Sequence, residues 1–117
     1  MEKKQIYLEF TRGDSFEKGF LLKRGDMPVL TDFIDVYFTV KKHHSDHDFI
    51  FQKRMSNGGI INDEDGHYTL YIDPEDTNNM GFGEYDCDIE FRGNDNYKRT
   101  FYGKLKLNRE VTHYYNE

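Results

Sequence analysis

The sequence predicts an all-β protein, a two-sheet sandwich of about seven to eight antiparallel strands with one short helical turn near 74–79. Three observations carry this reading. Polar and apolar residues alternate with period two in segment after segment, which is the signature of a half-buried strand. Gly, Asn and Asp clusters separate those segments, at spacings that leave room for strands and tight turns. Aromatic residues make up 16% of the chain, all Phe and Tyr with no Trp, and these side chains fit a pleated, half-covered surface. At 117 residues the chain is one domain, 1–117, and the core is thin, because 32% of the residues are charged.

The elements follow in order. Ile6, Leu8 and Phe10 alternate with Tyr7, Glu9 and Thr11, and the strand stops at Arg12-Gly13-Asp14. Residues 16–23 form a second strand that ends at Arg24-Gly25-Asp26. Ile34, Val36, Phe38 and Val40 alternate with Asp35, Tyr37, Thr39 and Lys41, the clearest strand in the chain. After a polar loop, Phe49-Ile50-Phe51-Gln52-Lys53 reads as the next strand, and Ile60-Ile61 as a short edge piece between the turns Asn57-Gly58-Gly59 and 62–66. Tyr68, Leu70 and Ile72 make another inward row. Asp73-Pro74-Glu75-Asp76 starts a helix: Asp73 caps, Pro74 suits the first helical position and the acids complement the helix dipole. Gly81 and Gly83 follow too soon for more than about one turn.

The last two strands specify their own register. Glu84, Asp86, Asp88 and Glu90 share one face of the first; Thr100, Tyr102, Lys104 and Lys106 share one face of the second. Setting Arg92 against Lys98 puts Asp86 opposite Lys104, Glu84 opposite Lys106 and Cys87 opposite Gly103. Each exposed pair is worth only ~0.2–1 kcal/mol, so the pairs select the alignment rather than hold the sheet. Gly83-Glu84-Tyr85-Asp86-Cys87 resembles the tyrosine corner of immunoglobulin domains, where a Tyr stands two residues before a cysteine. The expected sandwich is therefore immunoglobulin-like, with neither the partner cysteine nor the Trp of that class.

A net charge of -6 repels phosphates, which argues against nucleic acid and anionic membrane as partners. One cysteine excludes an internal disulfide framework. Met1-Glu2-Lys3-Lys4 opens straight into the first alternation, so neither signal peptide nor membrane span is expected. Within 43–48 stand His43, His44 and His47 with Asp46 and Asp48, donor types suited to a divalent metal. A loop between strands does not align them, so the expectation is no metal and no cofactor. Asn62-Asp63-Glu64-Asp65-Gly66 lacks the length and distal Glu of a calcium loop. The two Arg-Gly-Asp triplets, at 12–14 and 24–26, read as strand-end turns. Ser15, Ser45 and Ser56 sit on no nucleophile elbow, and the acids of 84–90 form a solvated face, so no catalytic residue is assigned. Tyr37, Tyr71 and Tyr102 fall on outward faces and are the candidates for protein or glycan contact.

Four stretches together resemble a known family: Arg12-Gly13-Asp14-Ser15-Phe16, Val36-Tyr37-Phe38-Thr39-Val40-Lys41-Lys42, Tyr71-Ile72-Asp73-Pro74-Glu75-Asp76 with Thr77-Asn78-Asn79, and Gly83-Glu84-Tyr85-Asp86-Cys87-Asp88-Ile89-Glu90. With Glu110-Val111-Thr112-His113 they are similar, in order and over nearly the whole chain, to small proteins of tailed phages and prophages of Gram-positive bacteria. That family looks like the N-terminal domain of upper baseplate proteins. The resemblance implies a non-catalytic structural protein of the tail or baseplate, located in the virion or, during assembly, in the bacterial host cytoplasm. Its partners would be other tail and baseplate proteins, with a homo-oligomer through edge strands as a further expectation. Upper baseplate proteins continue into a linker and a trimerising region, so a stand-alone member and an excised domain are both open, with the tail 108–117 extended or flexible. The alternative is a carbohydrate-binding or adhesive module using the exposed tyrosines.

Overall fold

The computed structural model describes residues 6–21, 23–24, 27–28, 35–64, 67–93 and 96–110. Ile34, parts of the turns expected at 24–26, 62–66 and 93–96, and the tail 111–117 lie outside the described residues. In chain order the strands are β1 (Ile6–Thr11), β2 (Phe16–Leu21), β3 (Lys23–Arg24), β4 (Met27–Pro28), β5 (Asp35–Lys41), β6 (Phe51–Arg54), β7 (Ile60–Glu64), β8 (His67–Ile72), β9 (Gly83–Arg92) and β10 (Lys98–Asn108). A 3-10 turn, Met55–Asn57, follows β6, and α1 (Pro74–Thr77) lies between β8 and β9.

Two sheets face each other, a five-stranded one ordered β1-β10-β9-β5-β6 and a three-stranded one ordered β2-β8-β7; β3 and β4 form a separate small hairpin. Three strands opposite the run β10-β9-β5-β6 is the strand order of immunoglobulin sandwiches. The inward rows are the expected ones. Val36, Phe38 and Val40 of β5, Tyr68, Leu70 and Ile72 of β8, and Ile89 and Phe91 of β9 are all but sealed from water. Within the five-stranded sheet the Phe38 and Phe51 ring centroids are 6.2 Å apart, and the Tyr68 and Phe91 rings, edge to face with centroids 5.3 Å apart, bridge the two sheets.

The β9–β10 register is the one the charges select: Arg92 against Lys98, Asp86 against Lys104, Glu84 against Lys106 and Cys87 against Gly103. The tyrosine corner is formed as well. Tyr85 is buried, and its Oη donates to the Gly81 carbonyl at 2.7 Å, tying the start of β9 to the connection before it. In α1 the Asp73 amide donates to the Asp76 carboxylate at 2.8 Å, so the cap signal is realised in one turn of helix.

Several details depart from the sequence reading. β1 pairs with β10 in parallel, whereas the strands were expected to be antiparallel throughout. After Arg12-Gly13-Asp14 the chain crosses into the opposite sheet instead of turning back along β1, so β1 joins the free side of β10. Gly103 is explained by the same contact. A Cβ there would lie 1.9 Å from the Ile6 carbonyl oxygen, so the glycine admits β1 rather than merely leaving room for Cys87. Phe49 and Ile50 are exposed and outside any strand, because β6 starts at Phe51 and only that ring turns inward. β7 runs on to Glu64 through an irregularity between Asn62 and Glu64, beyond the Ile60-Ile61 piece expected.

Candidate functional site

β9 is the centre of the five-stranded sheet, and its outward residues, Glu84, Asp86, Asp88 and Glu90, run down the middle of a solvent-facing surface. Register builds the rows across it. Tyr102, Asp88, Thr39 and Gln52 lie side by side on β10, β9, β5 and β6; the next row carries Tyr7, Lys104, Asp86 and Lys41. Between β5, β9 and β10 the surface dips into an open groove of about 320 Å³, lined by Thr39, Lys41, His44, Asp86, Cys87, Asp88 and Tyr102.

Most polar groups around this groove are already committed. Asp86 is bonded by the Lys104 ammonium and also accepts the His44 amide at 2.7 Å. Lys104, and secondarily that amide, hold the Asp86 carboxyl below its ordinary range. The Lys41 ammonium donates to the Asp46 carbonyl at 2.7 Å, and the Thr39 hydroxyl accepts from Gln52 at 2.9 Å. Glu90 pairs with Arg92 and, at 3.8 Å, with Lys98. Asp88 differs from its neighbours: it makes no hydrogen bond or ion pair among the described residues. Partial burial, and then the Glu90 charge, push its pKa up, while Lys41 and Lys98 pull the other way through space.

The tyrosines singled out from the sequence do not form one patch. Tyr102 is half exposed at the groove wall, and Tyr37 stands on the same face one row away, between the guanidiniums of Arg54 at 5.1 Å and Arg92 at 5.4 Å. Tyr71 is exposed on β8, in the other sheet. Sheet membership separates them, and alternation within a strand carries no information about it.

The histidine loop is held by the Asp46 and Asp86 carboxylates. The His43 amide donates to the Asp46 carboxylate at 3.0 Å, and the Asp46 amide returns to the His43 carbonyl at 2.9 Å. His44 reaches the groove, whereas His43 and His47 are exposed on the loop. Among the described residues no group of three or more His, Cys, Asp or Glu side chains is placed to hold a metal ion. In the stretch read as a failed calcium loop, the Asp63 carboxylate accepts the Thr69 hydroxyl at 2.6 Å.

The first Arg-Gly-Asp triplet is a structural turn. Gly13 has a φ of +83°, and its amide donates to the buried Thr77 hydroxyl at 2.8 Å. Arg12 donates to the Met80 carbonyl at 3.0 Å and pairs with Glu110 at 3.1 Å, while its guanidinium covers the Phe82 ring. That side chain is engaged mainly within the fold. Burial, reinforced by Asp88 and Asp86, pushes the Cys87 thiol up to about 12, so it is protonated at neutral pH and offers no nucleophile.

One anchoring residue escaped the sequence reading. Lys53, on the edge strand β6, aligns with the buried Phe38 and points inward. It pairs with Asp76 at 2.6 Å and Asp73 at 3.1 Å, fastening β6 to the start of α1. Its only sequence signal was an inward position in the 49–53 alternation occupied by a charge.

Among the described residues no helix is long and apolar enough to cross a membrane. No protein-family model matches the chain, and no curated protein matches it.

Proposed function

We propose that this chain is a non-catalytic structural protein of a tailed-phage or prophage tail or baseplate, acting through protein contacts. The observation that carries the reading is the outward face of the five-stranded sheet, where Tyr7 and Tyr102 stand half exposed and Tyr102 borders a groove whose Asp88 carboxylate makes no hydrogen bond or ion pair among the described residues. Aromatic side chains rimmed by charge are the composition of protein interfaces. The resemblance of the 12–16, 36–42, 71–79 and 83–90 segments to baseplate proteins supplies the context. The partners are other tail or baseplate proteins, and the chain resides in the virion or in the host cytoplasm during assembly. The outer sides of β1, β6, β2 and β7 have no strand beside them among the described residues, which suits pairing with a second copy.

The test is co-purification. Virions from an induced lysogen that carries this gene with an affinity tag retain the chain through a density gradient. Its absence from intact particles sinks the reading.

A second reading, a glycan-binding or adhesive module, is favoured by Tyr102 beside carboxylates, since an aromatic face next to hydrogen-bonding groups suits a sugar. A glycan array with saturable binding that disappears in Tyr102→Ala supports it, and a blank array removes it.

A further inference from the structure

Of the acids of β9, Asp86 pairs with Lys104 and Glu90 with Arg92 and Lys98; Glu84 and Asp88 make no ion pair among the described residues, and the break at Asp88 is the one that is partly buried. That break lies in the groove. Its position is set by register: Asp88 aligns with Tyr102 on one side and Thr39 on the other, so neither neighbour in its row carries a cation. The Lys41 ammonium, in the groove lining, donates to the Asp46 carbonyl.

We infer that this groove receives a lysine or arginine side chain of a partner protein, its cation against the Asp88 carboxylate and its stem along the Tyr102 ring. A volume of about 320 Å³ is ample for one long side chain and stands at the lower end of small-molecule sites, which run about 300–1,000 Å³. A partly desolvated carboxylate with no ion-paired cation among the described residues, felt by Lys41 and Lys98 only through space, destabilises the free protein, and an incoming cation removes that cost. The half-exposed Tyr102 ring supplies both an apolar surface for the stem and a face for the cation. A neutral sugar fits less well. A sugar hydroxyl can donate to Asp88 but leaves its charge uncompensated, and the Thr39 hydroxyl, the Lys41 ammonium and the Asp86 carboxylate beside it each already hold at least one bond.

The inference rests on the protein-contact reading of this face, and its test is separable from that reading. Isotope-labelled full chain is titrated with Nα-acetyl-arginine amide, Nα-acetyl-lysine amide, the neutral Nα-acetyl-norleucine amide and galactose, and amide shifts are followed by NMR. The cationic probes should give saturable shifts centred on Thr39, Asp88 and Tyr102 at millimolar concentration. Binding should weaken about tenfold in Asp88→Asn, and Glu84→Gln, on the same strand outside the groove, should leave it unchanged. Equal binding by Asp88→Asn, shifts scattered over the acidic face, an equal response to norleucine amide or galactose, or no saturable response overturns the inference. Virions that lack the chain refute the tail assignment, and the titration still decides the groove.

Discussion

Replacing Gly103 by alanine tests the packing of β1 most directly. A Cβ at that position lies 1.9 Å from the Ile6 carbonyl oxygen, 2.3 Å from its Cγ1 and 2.7 Å from its carbonyl carbon. Carbon approaches such atoms no closer than 3.0 Å, so the backbone of β1 must retreat by roughly an ångström at Ile6. A retreat of that size breaks the parallel ladder at its first rung and loosens Leu8 and Phe10, both buried. Overpacking of this kind costs about 1–3 kcal/mol, and fully detaching the strand would add about 1.5–3 kcal/mol for each of those side chains. An intermediate loss of about 2.5 kcal/mol is expected. Unfolding entropy near 2.1 cal/mol/K per residue, about 0.25 kcal/mol/K for 117 residues, converts that into a melting temperature lower by about 10 °C. The control is Gly19→Ala on β2, where an added Cβ meets nothing within 4 Å. There the smaller unfolded-state entropy of alanine should stabilise by about 0.4–1 kcal/mol. Thermal and urea unfolding of the two variants, with hydrogen exchange at the amides of 6–11, decides the matter. A Gly103→Ala protein that melts within about 2 °C of wild type, with β1 still protected, refutes the argument.

Three further predictions bear on the corner, the β6–α1 tie and the groove. Tyr85→Phe removes the donor to the Gly81 carbonyl and should cost about 1–2 kcal/mol by urea unfolding; no loss would mean that water replaces the hydroxyl. Lys53→Met, at a side chain only 13% exposed, should cost about 1 kcal/mol at neutral pH, the exposed Asp73 partner limiting the effect. Against the opposing effect of burial, Asp76 and Asp73 raise the Lys53 pKa. The stabilisation it supplies is therefore complete below the ordinary lysine value and disappears as pH rises through the folded value, so wild type and variant should converge only in strong alkali. The Asp88 shift has the opposite consequence for a carboxyl: with its folded pKa raised, stability falls as pH climbs from the ordinary aspartate range through the folded value. Asp88→Asn should be the more stable protein at pH ~7, with the difference vanishing in acid below the ordinary aspartate value, and a destabilised variant at neutral pH would contradict the account of an uncompensated charge.

Alternation along single strands is local information, and it was enough to name most of the core and one whole ladder. Val36, Phe38, Val40, Tyr68, Leu70, Ile72, Ile89 and Phe91 are inward because side chains on a strand change face at every residue. The β9–β10 register was legible because rows of opposite charge match in one alignment. Gly83-Glu84-Tyr85-Asp86-Cys87 announced its corner, and Asp73-Pro74 its turn of helix, since both depend on contacts within a few residues. What only the tertiary structure decided was which strand lies beside which, and so which side chains meet. Period two says that Tyr37, Tyr71 and Tyr102 point outward, and it is silent on the two sheets that separate them. The parallel seat of β1 against Gly103, the inward ammonium of Lys53 on α1, and the isolation of Asp88 between Thr39 and Tyr102 each join residues distant in sequence. Contacts of that kind are fixed by how two twisted sheets close over a common core, and no pattern within one strand records them.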